Sequence, residues 1–129
     1  MNKEQILSVK PGPELDRLVA ERVMGWQYDL LRDAWAKADG SYAYAEVWKP
    51  STDIAAAWDV VQCLISKSFN VEVWNTVELD QDGEWRTAWV VDVRSTQHGA
   101  STYRAQAPSA PLAICRAALL AVQSKEEAA

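Results

Sequence analysis

The sequence predicts an α+β domain: a single three-layer α/β/α sandwich, with a largely antiparallel sheet of about four strands and helices on both faces. Three observations carry this expectation. Apolar residues step by three and four over 54–65 and again over 112–122, which is helical periodicity. Residues 41–48, 70–79 and 85–93 alternate in polarity, which is strand periodicity. The run Ala88 to Val91 is apolar on both faces, as in a central strand covered twice. Short links between the last three strands make them antiparallel.

A chain of 129 residues is read as one domain, 1–129. Residues 1–12 form a polar N-terminal arm with Ile6, Leu7 and Val9, broken by Pro11-Gly12-Pro13. A helix starts at Pro13, because proline suits a first turn and Glu14 and Asp16 suit its positive end. Leu15, Leu18, Val19 and Val23 share its inner face, Gly25 stops it, and Trp26 folds back on the core. Segment 27–40 is a variable insertion: Leu30, Leu31, Ala34 and Trp35 are compatible with a short helix or with irregular chain ending at the Asp39-Gly40 turn.

In the strand 41–48, Tyr42, Tyr44, Glu46 and Trp48 point one way and Ala43, Ala45 and Val47 the other. Ser51 or Thr52 then caps a helix whose stripe is Ile54, Ala57, Trp58, Val61, Leu64 and Ile65. Strand 70–79 puts Val71, Val73, Val77 and Leu79 on one face and Trp74 and Thr76 on the other. Asp80-Gln81-Asp82-Gly83 is a hairpin loop. In strand 85–93, Trp85, Thr87, Trp89, Val91 and Val93 oppose Arg86, Ala88, Val90 and Asp92. A polar turn at 95–100 and a short strand at 102–106 lead to the closing helix, 107–122, whose one charge is Arg116. Burial of Arg116 against a second subunit would mark an oligomer, and its solvation would mark packing within one domain. Residues 124–129 are expected to fray.

Net charge is −5. Phosphate-driven binding needs a basic surface, so DNA is not an expected partner. Helix, three strands, helix is also the order of a double-stranded-RNA-binding domain. The last helix here starts Pro108-Ser109-Ala110-Pro111-Leu112 without a lysine, so that partner is excluded too. Cys63 and Cys115 fall at apolar helical positions and read as buried thiols of a reducing compartment. Residues 1–5 lack a signal-peptide run and no stretch approaches the ~20 apolar residues of a membrane span. The expected location is cytoplasmic, with no membrane partner.

No residue set has metal spacing, no phosphate loop is present, and no cofactor is expected. Asp80-x-Asp82-Gly83 lacks the later ligands of a calcium loop and is read as a turn. No catalytic residue is assigned. The candidates for a small acid/base enzyme are His98, the only histidine, and Glu46, a carboxylate on an aromatic strand face. Seven tryptophans are many for this length, and burying all of them with every N–H satisfied is demanding. One or more is expected at a subunit interface or in a pocket.

Three stretches, 13–26, 48–58 and 107–122, together resemble the phage ABA sandwich domain family. The resemblance implies a helix–sheet–helix sandwich and a phage or prophage source, and it implies no activity. The expected function is a non-enzymatic accessory binding protein, in concrete form a host-defence antagonist that sequesters a small nucleotide-like signal in an infected or lysogenic cell. The ligand contacts are Tyr42, Tyr44, Glu46, Trp48, Trp74, Trp89, Arg86, Arg94 and Arg104: aromatic faces for a base and guanidinium groups for phosphate. A regulatory protein that binds a host protein is the alternative, and a homo-oligomer is compatible with either.

Overall fold

The structure, a computed structural model, describes residues 1–97 and 101–128. It is α+β, as expected. The N-terminal segment is docked, not a loose arm. Helix α1 (Lys3–Ser8) starts at a reciprocal cap, in which Asn2 Oδ1 accepts from Gln5 N and Gln5 Oε1 from Asn2 N, each at 2.8 Å. Six residues do not hold a helix alone; the burial of Ile6 holds this one. Helix α2 (Pro13–Leu18) continues into a π-helical turn, Val19–Val23, and Leu15, Val19, Ala20 and Val23 are fully buried along it. Gly25, at φ +73°, ends it in the left-handed region that glycine adopts without a Cβ clash.

Segment 27–40 is neither a helix nor irregular. It forms strands β1 (Gln27–Asp29) and β2 (Ala34–Ala36), joined by a turn whose backbone is held by Asp29: its Oδ1 accepts from Leu31 N and Arg32 N. Leu30 and Leu31, read as part of a helical stripe, stand exposed at the tip, while Ala34 and Trp35 are buried. Strand β3 (Tyr42–Tyr44) is shorter than expected, because Val47 N and Trp48 N both return to Tyr44 O and curl 45–47 into a turn. β1, β2 and β3 form a small antiparallel sheet of their own.

Helix α3 (Ile54–Ser66) is capped by Asp53, whose side chain accepts from Ala55 N. Ser51, an expected cap, is buried elsewhere: its N–H donates to Asp16 Oδ1 at 2.8 Å and its Oγ accepts from Gly12 N at 2.9 Å. The expected α3 stripe divides. Ala57, Val61 and Leu64 are buried, whereas Ile54, Trp58 and Ile65 remain on an exposed flank. Strands β4 (Phe69–Leu79), β5 (Trp85–Ser95) and β6 (Thr102–Ala107) form the main antiparallel sheet, β5 central. There are thus two three-stranded sheets, not one sheet of about four strands. β3 is too short, and too firmly paired with β2, to extend the main sheet.

Helix α4 (Ala110–Ala128) continues beyond Val122, through most of the segment expected to fray. It forms a middle layer. Its Ala113, Ile114, Cys115, Ala117, Ala118 and Ala121 are fully buried, between β5 and β6 on one side and α1, α2 and the π turn on the other, with α3 beside it. The small residues let these neighbours approach closely. The main-sheet residues that enter the core are Phe69, Val71, Val73, Trp89, Val91, Val93, Tyr103, Ala105 and Ala107, all on one face by register. On the opposite face of the expected doubly covered run, Ala88 and Val90 stay out of the helical core. Val90 lies between Trp74 and Gln106 in register, so its cover comes from the sheet's own side chains.

Candidate functional site

Alternation in β4, β5 and β6 sends Glu72, Trp74, Thr76, Glu78, Arg86, Asp92, Arg94, Arg104 and Gln106 to the face away from α3 and α4. Asp92 is buried at its centre. Arg104 grips it with two parallel hydrogen bonds, Nε to Oδ1 at 2.7 Å and Nη2 to Oδ2 at 2.8 Å. These bonds hold the Asp92 carboxyl below its ordinary pKa against the opposing effect of burial. The same guanidinium lies 5.2 Å from the ring centre of half-buried Trp74, a cation–π contact. Arg94 is exposed further along the face, with Nε donating to Thr102 Oγ1 at 3.3 Å. Beyond Trp74, Gln106 Nε2 donates to Glu78 Oε1 at 3.1 Å, and Arg86 pairs with Asp80. Thr76 Oγ1 is enclosed and has no hydrogen-bond partner among the described residues. The result is an indole and guanidinium platform with an accessible arginine beside it.

Four of the residues expected at a site, Trp74, Arg86, Arg94 and Arg104, therefore share this face. The others do not join it. Trp89 lies on the opposite face, packed on the core. Trp48 turns inward, its ring centre 4.7 Å from that of Trp26 and its Nε1 donating to Asp59 Oδ2 at 3.1 Å. Tyr42 lies under the Arg32 guanidinium, 4.6 Å from its ring centre, and its hydroxyl accepts from Arg32 Nη1 at 3.1 Å. Tyr44 is exposed at the end of β3, and Glu46 is exposed in the turn that follows. The expected common face of Tyr42, Tyr44, Glu46 and Trp48 is broken by that turn, so Glu46 has no aromatic enclosure from it. His98 lies outside the described residues.

The structure also shows a cleft that the residue pattern did not signal. A cavity of about 290 Å³ lies between α2 and the small sheet, lined by Asp16, Arg17, Trp35, Trp48, Lys49 and Thr52, among others. Burial raises the Asp16 carboxyl, with Ser51 and Lys49 opposing the shift. Only the pairing of α2 with a sheet built from the presumed insertion makes this cleft. At the hairpin, Asp80 Oδ1 accepts from Asp82 N and Glu84 N, each at 2.9 Å, so this carboxylate closes the loop. Among the described residues, no group of three or more His, Cys, Asp or Glu side chains could hold a metal ion. No helix among them is long and apolar enough to cross a membrane.

Fold and site together define a small layered α+β domain with one uncovered sheet face of mixed charge. The chain belongs to the phage ABA sandwich domain family, whose model matches residues 17–119. The match runs from α2 into α4 and takes in both sheets, so the resemblance seen in the three sequence stretches holds. It associates the protein with phage and supplies no activity. No curated protein matches the sequence.

Proposed function

We propose that this phage-associated protein is a non-enzymatic binding protein whose uncovered main-sheet face receives a small, planar, anionic ligand of nucleotide type. Sequestering such a signal would antagonise a host defence. The observation that carries the reading is the line Trp74, Arg104 and Arg94 on one face left bare by the helices. An indole stacks on a base, and an accessible guanidinium pairs bidentately with phosphate oxygens. The Asp92 bridge fixes Arg104 before the ligand arrives, which lowers the ordering cost of binding.

Calorimetry and native mass spectrometry against cyclic nucleotides and ADP-ribose-type nucleotides test this. The expected outcome is binding that Trp74→Ala or Arg94→Ala weakens about tenfold or more, the scale of one lost stacking contact. Absence of binding across the panel overturns the ligand.

A second reading has its own observation. Arg86, Arg94 and Arg104 on this face are matched by Glu72, Glu78 and Asp92. Evenly mixed charge suits the rim and register of a protein contact as well as it suits an anion. Pull-down from host lysate with wild-type protein and the Trp74→Ala variant separates the two: loss of a host protein with Trp74→Ala, without nucleotide binding, favours the protein partner.

A further inference from the structure

We propose that two copies of this chain form a two-fold dimer in which the β4–β5 arm of each covers the exposed flank of α3 in the other. β6 pairs with β5 only at residues 89–94, so from Thr76–Ala88 to Leu79–Trp85 the sheet is a two-stranded ribbon. Such a ribbon is marginal in water without cover. One face of it continues the face that farther along packs on α3 and α4, and there it presents Val77, Leu79 and Trp85, with Trp85 71% exposed.

The arm outruns its helix for a simple reason of length. The thirteen residues of α3 reach roughly 20 Å at about 1.5 Å per residue, and the eleven of β4 roughly 36 Å at about 3.3 Å. Because α3 joins β4 through Lys67 and Ser68, it covers the Phe69 end of the strand and leaves the Leu79 end bare.

The same chain carries a second uncovered apolar surface. Ile54, Trp58 and Ile65 lie within roughly 40° of one another around α3 at 100° per residue, and Trp58 is 49% exposed. An apolar arm and an apolar helix flank on one molecule meet the need of a two-fold contact, in which each surface finds its complement on the other copy.

Area agrees. The chain exposes 7891 Å², whereas a compact monomer of 14.4 kDa exposes about 6,800 Å². The excess, roughly 1,000 Å², is what a projecting, uncovered arm adds to a packed shape. The face that carries Trp74 and Arg94 is the other side of the sheet, so this contact is independent of the ligand reading.

The test is mass in solution by light scattering and sedimentation at micromolar concentration. Wild type is expected at twice the chain mass. Trp85→Glu and Trp58→Glu are each expected as monomers with unchanged far-UV circular dichroism, since both side chains are exposed within the chain. An equimolar mixture of the two variants is expected to recover a dimer, because one arm–flank contact then joins two intact surfaces. A monomeric wild type, a dimer that survives either substitution, or a mixture that stays monomeric overturns the proposal. Arg94→Ala is expected to leave the mass unchanged, so loss of ligand binding and loss of the dimer are read separately.

Discussion

Asp92 and Asp16 are both buried carboxylates, and their surroundings drive them in opposite directions. At Asp92 the paired hydrogen bonds from Arg104 outweigh burial, so the folded pKa lies below the ordinary 3.8. Its ion pair therefore stabilises the fold fully above pH 3.8, and the contribution is lost as pH falls through the folded value. At Asp16 burial outweighs the Ser51 hydrogen bonds and Lys49, the folded pKa lies above 3.8, and ionisation subtracts stability as pH rises through it. Arg104→Ala is expected to cost about 2 kcal/mol at neutral pH, since it leaves a buried carboxylate without its strongest partner. Urea unfolding at neutral pH and in acid checks this: the gap between wild type and variant should narrow once Asp92 is protonated. Little of the pair was legible beforehand. Arg104 stood among the expected ligand contacts, but Asp92 was only a polar residue in a strand, and the pairing Asp92–Arg104 exists only once β5 and β6 are in register.

At the level of elements, Arg116 ties the N-terminal segment to α4. Its Nε and Nη2 both donate to Val9 O, at 3.1 and 2.7 Å, and burial holds its pKa below the ordinary guanidinium value. The fork expected at this residue, solvent or a second subunit, is resolved by neither: the arginine serves a carbonyl of its own chain. Arg116→Ala is expected to release α1 from α4, raising amide exchange of Ile6 to Val9 sharply and lowering global stability by about 1–3 kcal/mol. Hydrogen exchange read by mass spectrometry measures the first effect and denaturant unfolding the second. The elements with long periodic patterns, α2, α3, α4 and the β4–β5 hairpin, were legible because each repeats its signal over several turns or alternations. β1 and β2, three residues each, were not. A strand that short shows one alternation, and Leu30 and Leu31 at the turn added apolar positions that imitated a helical stripe.

For the molecule as a whole, a dimer makes thermal stability depend on protein concentration, because unfolding then releases two chains. Calorimetry over a wide range of concentration is expected to show a wild-type Tm that rises with concentration and a Trp85→Glu Tm that does not. The excess of tryptophan belongs at this scale. Trp35 and Trp48 are buried, Trp26, Trp74 and Trp89 are half-buried, and Trp58 and Trp85 stand open. Burying all seven is demanding, and two of them stay in water. Trp58, however, sat at a core position of the helical pattern and lies outside it.

By itself the sequence determined the α+β class, the order of the long elements, the hairpin and the two faces of each main strand, together with a resemblance to the phage family. These follow from backbone periodicity, which acts over a few residues. Only the tertiary structure decided that there are two sheets, that α1 is docked, which main-sheet face the helices cover and which tryptophans stay in water. Those outcomes depend on the finite length of α3 against β4, and on distant segments competing for the same apolar surface. No local pattern records that competition.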